Sequence, residues 1–166
     1  MPTHADRVHV PYNPAQMFDL VADVGKYPVF LPWCTGALVR TSTETHLVAD
    51  LTIGFGPFHE TFTSRVKLER PPPSGPGRIR TSYEEGPFKY LNNQWVFTPR
   101  AGVTQVDFWV DFEFRNRILQ KAIGAVFNEA VKRMVSAFLK RARDVYGAPT
   151  ADQIHNEAAV PAALQL

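Results

Sequence analysis

The sequence predicts an α+β domain in which a curved antiparallel sheet of about six or seven strands is gripped by one long C-terminal helix. Three features predict it. Between Cys34 and Phe114 apolar and polar residues alternate with a period of two, the period of strands that bury one face. From about Arg117 to Tyr146 the period turns helical, with Leu119, Ile123, Val126, Phe127, Ala130, Met134, Ala137, Phe138 and Val145 tracing an apolar stripe. At ~1.5 Å per residue this helix would reach about 45 Å, enough to cover the apolar face that a lone curved sheet leaves open.

The elements follow in order. Val8 and Val10 alternate with polar neighbours over His4–Val10, a first strand that Pro11 ends. Asn13-Pro14 offers a capping side chain before a proline suited to a first helical turn, and Met17, Phe18, Val21 and Val24 then recur at helical spacing, giving a short helix to about Gly25. Lys26 to Cys34 holds two prolines and five bulky apolar residues and reads as a tight helical turn plus connector that needs burial or a ligand. Leu47, Ala49, Leu51, Ile53 and Phe55 share one strand face, as do Phe62, Val66 and Leu68 in the next run, with a turn over Gly54–Pro57. Pro71 to Gly77 is an exposed loop. Ile79, Thr81 and Tyr83 form one further face, and Leu91, Asn93, Trp95 and Phe97 another.

The clearest alternation comes after the turn at Pro99–Gly102: Thr104, Val106, Phe108, Val110, Phe112 and Phe114 against Gln105, Asp107, Trp109, Asp111 and Glu113. One face is wet and the other strongly aromatic. Gly147 and Pro149 end the last helix, so a single domain is expected over 1–147, with an Ala-rich mobile tail over 148–166.

Composition narrows the function. With 166 residues, 45% hydrophobic, 12% aromatic and 20% charged, the chain is globular and can bury one substantial core. Apolar stretches such as Ala122 to Phe127 fall far short of a membrane-spanning helix, and the first residues are polar. The single cysteine, Cys34, suits a reducing compartment and can neither pair internally nor build a multi-cysteine metal site, which makes the cytoplasm the expected location. The net charge of +2 is unevenly spread: Arg115 to Tyr146 carries eight Lys/Arg against two Asp/Glu. Such a segment is a solvated helix face or an attraction for RNA or an anionic membrane.

Enzyme signatures are missing from the sequence. Gly54-Phe55-Gly56 lacks the third glycine and following helix of a dinucleotide site, no Walker loop or Gly-x-Ser-x-Gly elbow occurs, and His59-Glu60 has no histidine at zincin spacing. Asp107, Asp111 and Glu113 share a strand face opposite the aromatic series, so they are expected in solvent rather than as acid–base partners. The inward polar candidates are Thr81, Tyr83, Asn93 and Thr104. No run of interleaved basic and aromatic residues marks an RNA-recognition motif.

Several segments together resemble the coenzyme Q-binding START-domain family of the polyketide cyclase and lipid-transport superfamily. They are Tyr27-Pro28-x-Phe30-Leu31-Pro32-Trp33-Cys34, Phe62-x-Ser64-x-Val66, Leu91-x-Asn93-x-Trp95-x-Phe97, Val110-x-Phe112-Glu113-Phe114 and the long terminal helix. The resemblance spans about residues 3 to 147. It implies a START-like helix-grip fold with an apolar cavity between sheet and helix, and a non-enzymatic role in binding, chaperoning or transporting ubiquinone or a similar isoprenoid lipid in support of respiratory electron transport. Ubiquinone would be a ligand, with no catalytic cofactor. Bacterial relatives also include a toxin that blocks association of ribosomal subunits, which makes the ribosome the alternative partner. The chain starts almost directly on its first strand, without the Arg- and Ser-rich extension of a mitochondrial precursor, so a bacterial source is expected.

A polyprenyl tail needs a long apolar enclosure, and a quinone ring needs aromatic contact and a few donors to its carbonyls. The expected cavity residues are Phe30, Leu31 and Trp33 at the mouth, and Tyr83, Leu91, Asn93, Trp95, Phe108 and Phe112 on the sheet. On the helix they are Leu119, Ile123, Val126, Phe127, Ala130 and Met134. Lys121, Lys132, Lys140 and Arg143 fall near one helical face, the expected surface for peripheral contact with the anionic inner face of the cell membrane or with RNA.

Overall fold

A computed structural model describes residues 3–148; the expected tail lies outside the described residues from 149 onward. The order is β1 (Thr3–Val10), α1 (Pro14–Ala22), a 3-10 turn (Val24–Lys26), α2 (Tyr27–Phe30), β2 (Cys34–Ser42), β3 (His46–Phe55), β4 (Phe58–Glu69), β5 (Gly77–Glu85), β6 (Phe88–Arg100), β7 (Val103–Phe114) and α3 (Arg117–Tyr146). The strands form a seven-stranded antiparallel sheet in the order β1-β7-β6-β5-β4-β3-β2. β2 to β7 make a meander, and the two short helices carry the chain from β1 at one edge to β2 at the other.

Local chemistry sets the element ends. Asn13 Oδ1 accepts from Gln16 N–H at 2.8 Å and Gln16 Oε1 accepts from Asn13 N–H at 2.9 Å, a reciprocal cap that starts α1 with Pro14 in its first turn. Asn116 Oδ1 likewise accepts from Ile118 N–H and Leu119 N–H at 2.9 and 3.1 Å to start α3. Gly147, at φ 85°, ends α3 with its N–H donating to Arg143 O at 2.8 Å. Register shifts between Phe88 and Tyr90, Thr63 and Ser64, and Cys34 and Gly36 bend the strands.

The core lies between the inner sheet face and α3, closed at one end by α1. Phe97, Trp95, Phe108, Phe112 and Phe114 come from β6 and β7, Met17, Phe18 and Val21 from α1, and Leu119, Phe127, Val131 and Phe138 from α3. Val131 is buried, whereas Val126 and Val145 of the expected stripe are 37% and 48% exposed. Val126 lies at the stripe's edge, about 100° around the helix from Phe127, whereas Val145 lies in line with Phe127 but in the last turn of α3. Three tyrosine hydroxyls fasten the helices: Tyr12 donates to Gly147 O at 2.7 Å, Tyr146 to Gln16 O at 2.7 Å, and Tyr27 to Val21 O at 2.5 Å. Thr104, expected as an inward polar group, is fully buried and donates to Tyr12 O at 2.5 Å. Its hydroxyl holds the fold together and is not free for a ligand.

Two glycines give opposite expectations. Gly86 sits at φ 141°, and a Cβ there would lie 2.6 Å from Phe62 Cβ and 2.9 Å from Phe62 Cα. Gly124 lies inside α3, where an added methyl group would have no neighbouring atom within 4 Å. Backbone strain of ~1–3 kcal/mol plus the clash should make Gly86→Ala lower the melting temperature by about 5–10 °C. Gly124→Ala should raise it by about 2–4 °C through helix propensity. Thermal unfolding followed by circular dichroism checks both.

Candidate functional site

The inner sheet face and α3 do not meet along their whole length. Between them lies a cavity of about 310 Å³, at the lower end of the ~300–1,000 Å³ range of small-molecule sites. Its floor is α3, through Ile123, Phe127, Ala130, Val131, Met134 and Phe138, and its ceiling is the concave sheet, where Trp95, Phe108, Val110 and Phe112 alternate inward. Val21 and Val24 close one side, and Tyr27, Leu31, Pro32, Trp33 and Cys34 form the connector wall.

The walls are almost wholly apolar, and the polar exceptions cluster. Thr81 pairs with Asn93 across β5 and β6, and Ser64 on β4 lies diagonally from Thr81, because Val66 pairs with Thr81 and Ser64 with Tyr83. Ser64 is only 1% exposed to solvent. Asn93 commits one amide hydrogen, donated from Nδ2 to Trp109 O at 3.1 Å, and keeps its oxygen and second hydrogen. Together these groups can meet a carbonyl or hydroxyl oxygen. Among the described residues the wall carries no carboxylate, imidazole, amine or guanidinium.

Its two weakly acidic groups are held protonated. Burial pushes the Tyr27 phenol far above its ordinary range, with Cys34 and Asp23 nearby adding to the effect. Burial also raises the Cys34 thiol, against a smaller lowering effect from the Gly36 backbone, so this cysteine is a poor nucleophile. No group of His, Cys, Asp or Glu able to hold a metal ion occurs among the described residues.

Of the residues expected from the sequence, Leu31, Trp33, Leu91, Asn93, Trp95, Phe108, Phe112, Ile123, Phe127, Ala130 and Met134 reach the cavity wall. Four do not. Phe30 turns into the seam between α2 and α3, its ring 5.2 Å from Phe138 and under the Arg141 guanidinium. Tyr83 packs edge-on against Phe88 and accepts from Phe88 N–H at 3.3 Å, closing the far end of the β5–β6 hairpin. Leu119 is buried in the first turn of α3, below the cavity, and Val126 faces outward. Conversely, Ser64, Phe138 and Val131 line the wall unanticipated. Phe138 and Ser64 stand on faces already legible as apolar, and Val131 is four residues from Phe127 on the same helix face.

Lys121, Lys132, Lys140 and Arg143 are all exposed on α3 and, at about 100° per residue, fall within about one third of its circumference. Lys140 is bound to Asp144 at 3.0 Å. No helix among the described residues is long and apolar enough to cross a membrane.

Comparison with known proteins fits this architecture. The family model described as polyketide cyclase / dehydrase and lipid transport matches residues 10–139. The ribosome association toxin RatA of Vibrio cholerae is 39% identical over 140 residues, covering 83% of this chain and 93% of its own length. Coenzyme Q-binding protein COQ10 homolog B, mitochondrial, of Xenopus laevis is 34% identical over 137 residues, covering 80% of this chain and 54% of that protein. The solution structure of the 18 kDa protein CC1736 from Caulobacter crescentus superimposes with a TM-score of 0.70 at 34% identity, covering 89% of this chain and all of that one. With a START-like grip of seven strands on one helix and a family match over most of its length, the chain belongs to the polyketide cyclase / dehydrase and lipid transport family.

Proposed function

We propose that the protein binds and carries an isoprenoid quinone, ubiquinone or a close analogue, in the cavity between its sheet and α3, without catalysing a reaction on it. The observation that carries this reading is the pairing of an apolar enclosure with one small polar patch, Ser64, Thr81 and Asn93, beside the indole of Trp95. A quinone has that same division: a flat ring with carbonyl acceptors on a hydrocarbon tail. A relative named for coenzyme Q binding supports the choice of ligand. A wall without ionised groups supports carriage over acid–base catalysis. Loading from the inner face of the cell membrane suits the exposed basic face of α3 and the exposed apolar residues Val29, Leu38 and Val39 on α2 and β2, with the cytoplasm as the compartment.

A second reading has its own support. The relatives named ribosome association toxin match over nearly their whole length, and the basic face of α3 would suit an rRNA-rich partner. Sucrose-gradient profiles after controlled expression distinguish the two. Anti-association activity should deplete joined ribosomes and raise free subunits with quinone absent, whereas a dedicated carrier should leave the profile unchanged.

Titration with quinones of increasing tail length tests the leading reading. Each buried methylene contributes up to ~0.8 kcal/mol before ordering costs, so affinity should rise over the first prenyl units and then flatten as a 310 Å³ cavity fills. Failure to bind any isoprenoid quinone, or a flat dependence from the start, would overturn it.

Trp95 gives a sharper test. Its ring contacts Phe108 at 4.6 Å and Phe138 at 5.0 Å and also forms part of the wall, so Trp95→Leu should reduce stability by ~1–3 kcal/mol whatever the cavity does. If the indole faces a quinone ring, the variant should also lose quinone affinity about 10-fold while binding a prenyl alcohol of equal tail length nearly as well. Equal losses for both ligands would make Trp95 a packing residue only.

A further inference from the structure

The outer face of the sheet carries a second concavity, of about 480 Å³, on the side away from α3. One cross-strand row runs through it. His46 on β3 pairs with Lys67 on β4, Lys67 with Arg80 on β5, Arg80 with Gln94 on β6, and Gln94 with Trp109 on β7. Three cationic or protonatable side chains are therefore followed, in one line, by an amide and an indole. At ~4.8 Å between strands, Lys67 and Trp109 stand about 14 Å apart. Trp109 is 37% exposed, so part of its ring is open to solvent on this face.

Charge in the row is unevenly compensated. Lys67 is 3.5 Å from Glu69, and Arg65, beside the row, is 3.0 Å from Glu84. Arg80, at the centre, has no ion pair among the described residues. An exposed guanidinium flanked by a lysine, with amides and an aromatic face at one end, matches the needs of a single nucleic-acid strand: cations for phosphates, a flat ring for a base, and amide groups for base edges or a ribose hydroxyl. A membrane surface makes poorer use of a concave groove and has no need of the amides of Asn92 and Gln94.

We propose that this outer-face groove is a binding site for single-stranded RNA, with phosphates at Lys67 and Arg80 and a base stacked on Trp109. The proposal stands on this face alone and does not depend on what the cavity or α3 binds, since alternate residues of each strand point to opposite sides.

The test is fluorescence anisotropy of a labelled mixed-sequence RNA of about 12 nucleotides with the full chain, as a function of salt. Arg80→Gln should weaken binding and make the slope of log affinity against log salt shallower by about 0.7, the value for one phosphate contact on a single strand. Trp109→Leu should weaken binding about 10-fold with the slope unchanged, and Trp109→Phe, which keeps an aromatic face, should recover most of the loss. Lys26→Gln, in the 3-10 turn after α1, should alter neither quantity. Melting temperatures are compared alongside, so that a variant that fails to fold is recognised; Arg80→Gln at an exposed position provides an independent readout if Trp109→Leu does. Absence of RNA binding by the parent chain would overturn the proposal. So would parental affinity and slope in both Arg80→Gln and Trp109→Leu, or Arg80-dependent binding to vesicles containing anionic phospholipid with no binding to RNA.

Discussion

The fold turns on the ring of Phe138. A single curved sheet must have its apolar face covered, and in this chain one helix does most of the covering. Phe138 is buried, with ring centroids 5.0 Å from Trp95 on β6, 5.2 Å from Phe30 and 5.5 Å from Tyr27. Helix α3, the α2 connector and strand β6 thus meet on one side chain. Three turns earlier, Phe127 makes a second such contact, 5.1 Å from Phe112 on β7. The two phenylalanines act as pillars separated by 11 residues, ~16 Å of helix. Between them the inward residues are Ala130, Val131 and Met134, shorter or more flexible than the rings on either side. The helix is held off the sheet at its pillars and nothing between them is long enough to fill the gap. The cavity follows from where the aromatic residues fall along one helix.

That explains which parts of the molecule could be read in advance. The alternation Val106, Phe108, Val110, Phe112, Phe114 specifies a strand and its buried face with no help from tertiary structure, because side chains on a strand have only two directions. The capping pair Asn13 and Gln16 and the proline at 14 are equally local. A helix face is less sharply defined: Val126 and Val131 lie on either edge of the stripe, and only contact with the sheet decides that the second is buried and the first exposed. Phe30 and Tyr83 were legible as inward aromatics but not as side chains directed at a neighbouring ring rather than at the void. Ser64 illustrates the complementary failure. In its own strand it reads as one small polar residue between Phe62 and Val66, and it acquires meaning only when the register brings it near Thr81 and Asn93 from two other strands.

The outer face was hidden for the same reason. Lys67, Arg80, Gln94 and Trp109 are spaced by more than a dozen residues each, so no window of sequence contains an interleaved basic and aromatic run. The antiparallel meander aligns them because each hairpin returns the chain to the same level of the sheet. One backbone layer therefore separates two surfaces of opposite character: Trp95 stands on the inner side opposite Phe108, while the adjacent pair Gln94 and Trp109 stands on the outer side. A substitution at either tryptophan addresses one surface and leaves the other's side chains in place. This separation also relieves a conflict that a helical domain would face, where a wet binding stripe and a dry one compete for the circumference of the same helix.

An apolar void of this size is costly to leave empty. Unfilled apolar volume between packed elements lowers stability, because the atoms lining it lose neighbours that a filled core would supply. Water can relieve only a small part of it, since the polar groups that could hold water are confined to Ser64, Thr81 and Asn93 at one patch of the ceiling. The remainder is lined by rings and aliphatic side chains that gain nothing from water but would gain dispersion contacts from hydrocarbon. The fold tolerates the void because the pillars Phe127 and Phe138 and the hydroxyls of Tyr12, Tyr27 and Tyr146 hold α3 and the connector in place around it. Shrinking the cavity would require α3 to approach the sheet between two points at which aromatic contacts already hold it away. The same rigidity that preserves the space makes an apolar guest the least costly way to fill it.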